Sequence, residues 1–315
     1  MRILVMGGTR FIGVYLTQQL VSQGHDVVLF NRGNRPSPVA GVTQIHGDRT
    51  DAAQLKANLS DQSFDVIFDN NGRELADTQP LVEIFKGKLR QFIYISSAGV
   101  YQKSAQMPHI EGDAVDPNSR HKGKFATEDY LAAQGIPFTA VRPVYIYGPP
   151  KTTNPLEEWF FDRIVHDRPI PIPGHGQHLT QLGHCQDLAS APGGHGGQSP
   201  RPWAKIYNIS GERFVTFDGL AQACAAAAGK DPSSLQLVHY DPKAFDFGKR
   251  KAFPLRPQHF FTSIEKAKQH LSWTPQFDLV AGLRDSFDRD YQPQNKGAAA
   301  IDFSTDDEIL QAVTA

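Results

Sequence analysis

The segment that most constrains the fold is GGTRFIG, residues 7–13, which directly follows the short apolar run ILVM. Glycines between a strand and a helix permit a tight turn, close approach of the backbone to a pyrophosphate, and close packing of the helix on the strand. Gly7, Gly8 and Gly13 are spaced to meet these needs, whereas Arg10 stands where such loops usually carry their middle glycine. The segment therefore predicts a dinucleotide-binding strand–helix unit at the start of the chain.

Short apolar runs alternate with helical patterns through the first half of the chain, which is typical of a parallel sheet covered by helices. Six strands are predicted, in ILVMGG, HDVVLFNRG, VTQIHGD, DVIFDNNG, QFIYISSAGVY and FTAVRPVYIYG. The predicted fold class is α/β, a Rossmann-type doubly wound parallel sheet with a smaller C-terminal α/β domain. Ligands of such sheets bind at the carboxyl ends of the strands.

The spacing of the elements changes after GPPK, and this change predicts the domain boundaries. Residues 1–150, joined by 182–204, are expected to form the Rossmann domain; 151–181 and 205–292 the smaller domain; and 293–315 a tail. DLASAPGGHGGQSPRPWA, by its position, should be a helix that returns to the sheet, yet its glycines and prolines disfavour one. Two interpretations stay open for 190–203: a long loop, or a locally abnormal sequence.

Composition argues against a strong overall field, because 32 Lys and Arg against 33 Asp and Glu leave a net charge of -1. No apolar run reaches the length of a membrane span and no leader precedes the first strand, so we expect a protein of the cytoplasm without a membrane partner. The two cysteines match no metal spacing and are expected to be buried. No metal site is predicted, because ligand spacing is also absent among His166, His175, His178, His184 and His195.

The end of the second strand bears on the choice of cofactor. NAD-binding folds usually place a carboxylate there for the ribose hydroxyls, but this chain has Asn31 and Arg32, with Arg35 just beyond. Cations at this place favour a 2′-phosphate, so NADP is the expected cofactor and NAD the alternative. Asp48, in the GDR that follows the third strand, is expected to meet the adenine amino group.

Five motifs in order, GGTRFIG, HGD, SSAGVY, VRPVYIYGPP and HCQDLA, resemble the extended short-chain dehydrogenases/reductases of the NAD-dependent epimerase/dehydratase family. The resemblance covers roughly residues 1–290. It implies a redox triad of Ser or Thr, Tyr and Lys, in which Tyr and Lys share one helix as YxxxK and the Tyr is the acid/base. It also implies a cofactor site formed by Gly7, Gly8, Thr9, Arg10, Phe11, Ile12, Gly13, Asn31, Arg32, Asp48, Arg49, Ser96, Lys124 and Tyr145.

The triad is incomplete in this chain. Ser97 matches the family serine and Lys124 the lysine, but Arg120 stands at the position of the tyrosine. The other match to YxxxK, Tyr147 to Lys151, contains two prolines that exclude the helical turn which would bring the side chains together. A guanidinium does not release its proton near neutral pH, so Arg120 cannot replace the phenol as a base.

A second departure from the family follows the fourth strand, in FDNNGRE. Asp69, Asn70, Arg73 and Glu74 are expected to bring polar groups to the carboxyl edge of the sheet, or to form a surface loop that satisfies its own backbone. Both departures, with YNISGERFVTFDGL and the DFSTDDEIL tail, are similar to the chloroplast stem-loop-binding protein group and its cyanobacterial relatives. This resemblance implies RNA binding, endoribonucleolytic cleavage, and association with ribosomal or transcription complexes in a bacterial cytoplasm or a chloroplast stroma.

The favoured hypothesis is accordingly an RNA-binding or RNA-processing protein on a dinucleotide fold. It accounts for cations around the former active site, at Arg10, Arg120, Lys122 and Lys124. A further phosphate-binding surface with a stacking ring is predicted from Lys249, Arg250, Lys251 and Arg256, with Phe247 or Phe253. Charge runs of this size are also typical of merely solvated faces.

Two other functions stay open. One is an NADP-dependent epimerase, dehydratase or reductase for a nucleotide sugar, in which Glu74 or Tyr101 would have to supply the proton. The other is a structural role in which NADP(H) is bound without catalysis. A homo-oligomer fits all three hypotheses.

Overall fold

The computed structural model describes residues 1–150, 156–193, 205–294 and 301–314. Thirteen strands lie within these ranges: β1 (Arg2–Met6), β2 (Asp26–Asn31), β3 (Thr43–His46), β4 (Val66–Asp69), β5 (Gln91–Ile95), β6 (Phe138–Pro143), β7 (Tyr145–Tyr147), β8 (Ile170–Pro173), β9 (Leu179–Thr180), β10 (Leu182–His184), β11 (Lys205–Ile209), β12 (Val215–Thr216) and β13 (Leu237–Tyr240). The described residues also form ten α-helices: α1 (Ile12–Ser22), α2 (Ala52–Leu59), α3 (Leu75–Phe85), α4 (Lys122–Ala133), α5 (Leu156–Val165), α6 (Cys185–Gly193), α7 (Phe217–Ala227), α8 (Glu265–Leu271), α9 (Leu279–Ser286) and α10 (Ser304–Thr314).

The chain divides into two compact units. The first comprises Met1–Val144, Cys185–Ser210 and Thr262–Pro275, and the second comprises Tyr145–His184, Gly211–Phe261 and Gln276–Ala315. Several segments fall differently from the expected boundaries. Residues 205–210 and Thr262–Pro275 lie in the first unit, whereas 145–150, 182–184 and the described residues after 293 belong to the second.

Seven strands of the first unit form one parallel sheet in the order β11-β6-β5-β4-β1-β2-β3. The chain starts near the middle and reverses direction across the sheet, which confirms the predicted Rossmann-type fold class. β11 is the edge strand beside β6, although the sequence placed its residues in the smaller domain. Because the strands are parallel, β1, β2, β4 and β5 all end at one edge of the sheet, the carboxyl edge. This is the edge at which the sequence predicts a ligand site.

Apolar side chains cover both faces of this sheet, because successive strand residues point to opposite sides. Leu4, Met6 and Phe30 join one core cluster with side chains from α2, α3 and α4, such as Leu55, Leu81 and Leu131. The intervening Ile3 and Val5 are equally buried, and α1 packs beside α6. Each fully buried large apolar side chain contributes about 1.5–3 kcal/mol.

The segment DLASAPGGHGGQSPRPWA, whose glycines and prolines disfavour a helix, is helical at its start. α6 continues to Gly193, and the indole nitrogen of Trp273 donates to the carbonyl of Asp187 at 3.2 Å and to Oγ of Ser190 at 2.9 Å. Residues 194–204, with His195, lie outside the described residues.

The second unit contains three strand pairs, β7 with β10, β8 with β13, and β9 with β12. Its core is rich in aromatic rings from α5 and α7, and it includes Cys224 and Phe253. Phe253 is only 7% exposed, so the prediction that it could stack on a base is wrong, because the ring packs inside this core. Both cysteines are buried thiols, as expected. None of the described helices combines the length and the apolar character that a membrane crossing requires.

Candidate functional site

The GGTRFIG loop has a backbone that only glycine accommodates at three positions. Gly7 and Gly8 have φ angles of 100° and 88°, which side-chain-bearing residues rarely adopt. An added Cβ on Gly13 would lie 2.8 Å from the Cα atom of Gly8. The loop passes directly into α1, where the amides of Gly13 and Val14 already donate to carbonyls of the loop at 3.0 Å. What this helix start offers an anion is the positive end of the helix dipole.

A cleft of about 700 Å³ opens in front of this loop. It is bounded by the glycine loop and by residues that follow β2, β3 and β4, so it occupies the carboxyl edge of the sheet. Two aspartates line it, Asp48 and Asp77, against five arginines: Arg10, Arg32, Arg35, Arg49 and Arg73. The excess of guanidinium groups suits a ligand that carries several negative charges. We call this feature the arginine cleft.

Arg49 does not offer its charge to a ligand, because it is held by Asp69. Its two terminal nitrogens donate to the carboxylate oxygens of Asp69 at 2.6 and 2.9 Å, and one also donates to the carbonyl of Asp77 at 2.7 Å. Its other terminal nitrogen donates to the side-chain oxygen of Asn71. The guanidinium therefore fixes the loop between β4 and α3 rather than acting as a free phosphate ligand.

Asp69 is completely buried at the end of β4. It accepts hydrogen bonds from Thr78 Oγ1 at 2.6 Å and from the amide of Gly72 at 3.0 Å, in addition to Arg49. Burial by itself raises the pKa of Asp69, but the charge of Arg49 and the hydrogen bonds from Arg49 and Thr78 outweigh it and hold the pKa below its ordinary value. Asp69 thus organises its own loop.

The residues predicted to contact the adenosine half lie along the arginine cleft. Asn31 accepts a hydrogen bond from the amide of Gly33 at 2.8 Å, while its buried Nδ2 has no partner among the described residues. Arg32 and Arg35 are exposed at the mouth. The carboxylate of Asp48 accepts from the amide and hydroxyl of Thr50 at 2.9 and 2.8 Å, and these bonds lower its pKa. The orphaned amide and the exposed cations fit an adenosine phosphate.

Lys124 lies in the first turn of α4 with its chain largely covered. Its Nζ donates to the carbonyl of Ile95 at 2.5 Å and stands 5.0 Å from the centre of the Tyr94 ring. Burial lowers the pKa of Lys124 to about 8, although Asp69 opposes that shift. Lys124 therefore helps to close the end of β5, and its pKa keeps the amine mostly protonated at neutral pH.

The two serines after β5 do different things. The hydroxyl of Ser97 accepts from the amide of Gly99 at 3.0 Å and so caps a short 3-10 turn. Ser96 Oγ is buried and has no partner within the part of the chain that the structure describes. Arg120 is exposed and its Nε donates to the ring of His121 at 3.0 Å. The structure thus brings Ser96, Ser97 and Lys124 to the end of β5, with no phenol at the position of Arg120.

Neither substitute for the missing tyrosine is placed as an acid/base in the cleft. Tyr101 is buried, its hydroxyl donates to the side-chain oxygen of Asn208 at 2.7 Å, and burial raises the pKa of Tyr101 to about 12. Glu74, at the start of α3, packs so closely on α4 that an added Cβ on Gly123 would lie 2.1 Å from its carboxylate. Tyr145, predicted as a cofactor residue, lies on β7 of the second unit and its hydroxyl accepts from the amide of Arg256 at 3.0 Å.

Some functional residues were missed by the sequence analysis. Asn71 stands 3.4 Å from where a Cβ on Gly7 would be, so its amide covers the glycine loop. Asp77 accepts from the amides of Arg73 and Glu74 and caps α3. The E-x-x-D spacing at that helix start is a capping signal that could have revealed Asp77. The described residues contain no group of three His, Cys, Asp or Glu side chains that could hold a metal ion.

Comparison with known sequences gives a family match and a relative of high identity. Residues 3–192 match the model of the NAD dependent epimerase/dehydratase family. The chain is 51% identical to the chloroplast stem-loop binding protein of 41 kDa b from Arabidopsis thaliana, over 98% of this chain and 84% of that protein.

Solved structures share the fold at low sequence identity. UDP-glucose 4-epimerase from Thermotoga maritima, solved with UDP-glucose, superposes with a TM-score of 0.76 at 20% identity and covers 93% of this chain and 100% of that one. The dTDP-glucose 4,6-dehydratase from Bacillus anthracis, solved with NAD, gives a TM-score of 0.74 at 18% identity over 95% and 98% of the two chains. Likeness at this level of identity concerns the fold alone.

Proposed function

The chain belongs to the NAD dependent epimerase/dehydratase family, in the group of the chloroplast stem-loop-binding proteins, and from this premise we propose that it binds structured RNA on a dinucleotide fold. The observation that carries the proposal is 51% identity, over 98% of the chain, to a protein named for stem-loop binding. The proposal includes RNA processing, association with ribosomal or transcription complexes and a homo-oligomeric state. Its compartment is the chloroplast stroma, or the cytoplasm in a bacterial counterpart.

The loss of the family's acid/base supports this function over hydride chemistry. Arg120 cannot release a proton near neutral pH, Tyr101 is buried on Asn208, and Ser97 is engaged by its own turn. The chain keeps the glycine loop and the cleft that would bind a dinucleotide. It lacks the tyrosine that donates the proton in the family's reaction. An epimerase, dehydratase or reductase acting on a nucleotide sugar is the alternative.

We propose NADP as the bound cofactor, with a structural role. The glycine loop has a cradle that a Cβ on Gly7, Gly8 or Gly13 would fill. At the mouth of the arginine cleft, Arg32 and Arg35 offer two cations that could bind a 2′-phosphate. Bound NADP would supply phosphates that fill the arginine cleft and a nicotinamide ring whose hydride transfer the remaining side chains do not assist.

The cofactor proposal is tested by calorimetric titration of NADP and NAD into the chain and into Arg32→Ala/Arg35→Ala. Loss of two charge-assisted contacts should weaken NADP binding about 30-fold or more and leave NAD within about threefold. Arg90→Ala, an exposed cation just before β5, is the matched control. Equal loss for both dinucleotides would exclude a 2′-phosphate at these arginines.

The RNA proposal is tested by equilibrium binding of a labelled stem-loop RNA at low and at moderate salt. Unpaired RNA of the same composition and duplex DNA serve as competitors. We expect the stem-loop to outcompete both by at least tenfold. An absence of binding at low salt would refute the proposal, and NADP(H) turnover with nucleotide sugars would then be measured.

A further inference from the structure

The acidic first turn of α10 lies on a group of arginines in the second unit. Asp306 pairs with Arg163 at 2.8 Å and Glu308 pairs with Arg250 at 2.7 Å. Asp307, between them, pairs with Arg168. Three successive carboxylates are thus matched one to one with three guanidinium groups that come from α5, from the turn after it and from the loop after β13.

Aromatic rings accompany these arginines. The guanidinium of Arg163 lies 3.6 Å from the centre of the Trp159 ring, and that of Arg250 lies 5.8 Å from Phe247. Phe247 stacks in parallel on Phe245, with ring centres 5.4 Å apart. We call Arg163, Arg168 and Arg250, with Trp159 and Phe247, the arginine–aromatic face.

Phe303, immediately before α10, completes the cover of this face. Its ring centre lies 4.5 Å from the guanidinium of Arg168 and 5.5 Å from that of Arg163. Ile309, in the next turn, is fully buried in a small cluster with Tyr240 and Ala252. The helix is therefore fixed by one apolar anchor and three ion pairs, in a region where the sequence alone predicted only a tail.

Burial disfavours the charged forms of the innermost ion pair, Asp306 with Arg163. Burial raises the pKa of Asp306 despite the opposing hydrogen bond and charge of Arg163. Burial likewise lowers the pKa of Arg163, against the effect of Asp306. The outer pairs are more open, since the side chains of Asp307 and Glu308 are 50% and 41% exposed. The carboxylates of Asp307 and Glu308 are therefore within reach of an anion from solvent.

Arginines interleaved with aromatic rings are the chemistry that recognises an RNA loop, in which phosphates meet guanidinium groups and bases stack on rings. We propose that the arginine–aromatic face is a second RNA contact and that α10 is its intramolecular competitor, with carboxylates in the places that RNA phosphates take. The proposal rests on the RNA-binding function proposed above. It assigns Arg250, predicted from sequence as a phosphate ligand, a role that appears only when α10 is displaced.

The test compares the full chain with Asp307→Asn/Glu308→Gln and with a chain that lacks residues 301–315. Stem-loop RNA affinity is measured across a salt series, and circular dichroism checks that each variant is folded. We expect the double variant to bind about three- to tenfold more tightly and the shortened chain at least tenfold more tightly. The salt slope of the shortened chain should steepen by roughly two to three, because each released arginine adds about 0.7–0.9.

Two controls separate this effect from a change in net charge. Asp61→Asn/Glu83→Gln removes the same charge from exposed positions of the first unit and should change the affinity less than twofold. Arg250→Ala should weaken binding at least fivefold in the shortened chain and less than twofold in the full chain.

The proposal is overturned if the full chain binds RNA but Asp307→Asn/Glu308→Gln behaves like its control, or if Arg250→Ala acts equally with and without α10. These results leave the proposed RNA function intact. An absence of RNA binding by the full chain and by every variant at low salt would overturn both, so the two failures are distinguishable.

Discussion

Asp69 and Arg49 form a buried pair on which the loop beside the arginine cleft depends. Asp69→Asn leaves the guanidinium without its counter-charge, and we expect it to lower the free energy of unfolding by about 3 kcal/mol at pH 7. Since the pKa of Asp69 is held low in the folded protein, its stabilisation is present above about pH 4, the unfolded value, and is lost as the pH falls further. Urea denaturation at pH 7 measures the loss, with the exposed Asp61→Asn as a control expected within about 0.5 kcal/mol. Equal effects of the two substitutions would contradict the assigned role.

The lowered pKa of Lys124 leads to a second prediction about a single residue. Its pKa of about 8 lies below the unfolded value of about 10.4, so the unfolded chain binds more protons between these values and stability should rise with pH there. NMR of the ¹³C-methylated amine should show a midpoint near pH 8, and Asp69→Asn should lower it further, because the carboxylate that supports the charge is gone. A midpoint near 10 would show that the amine is not desolvated.

Residues that obey local rules were predictable, and residues that depend on distant partners were not. The glycines of GGTRFIG follow from turn geometry, and the absent phenol at Arg120 follows from spacing. Arg49 lines the cleft, but its engagement by Asp69, 20 positions away, has no local signal. Phe253 was wrongly predicted to stack on a base, because the sequence around an aromatic residue beside basic ones is the same whether its ring is exposed or buried.

The glycine loop and α1 act as one element, because the helix can begin only if Gly13 packs against Gly8. Gly13→Ala would place its Cβ 2.8 Å from a backbone atom that cannot move aside without opening the loop. We expect NADP binding to weaken at least tenfold, while far-UV circular dichroism keeps the spectrum of the α/β fold. Gly112→Ala, where nothing lies within 4 Å of the added atom, should leave NADP affinity unchanged. Wild-type affinity in Gly13→Ala would show that the loop does not hold the dinucleotide.

Elements of the first unit were largely predictable because strands buried on both faces give uninterrupted apolar runs. α10 was not, since its one buried anchor, Ile309, lies in an acidic segment whose arginine partners are more than 50 residues earlier in the chain. α6 was obscured by the glycines and prolines that begin near its end.

At the scale of the whole molecule, net charge is nearly zero, so RNA binding must come from where the charges lie rather than from their sum. The sequence predicted that one later segment rejoins the first domain, but the return of Thr262–Pro275 to the first unit has no sequence signal, because it depends on contacts far apart in the chain. Two cations that the sequence places around the former active site, Arg120 and Lys122, are exposed in the first unit and lie outside the lining of the arginine cleft.

The most direct measurement is the salt dependence of stem-loop RNA binding by the chain and by Arg120→Ala/Lys122→Ala. If these cations contact phosphates, the variant should bind at least fivefold more weakly at moderate salt, and its slope of log affinity against log salt should be shallower by about one to two. Stem-loop binding with the same affinity and the same slope in both proteins would contradict the account, because RNA would then be held elsewhere.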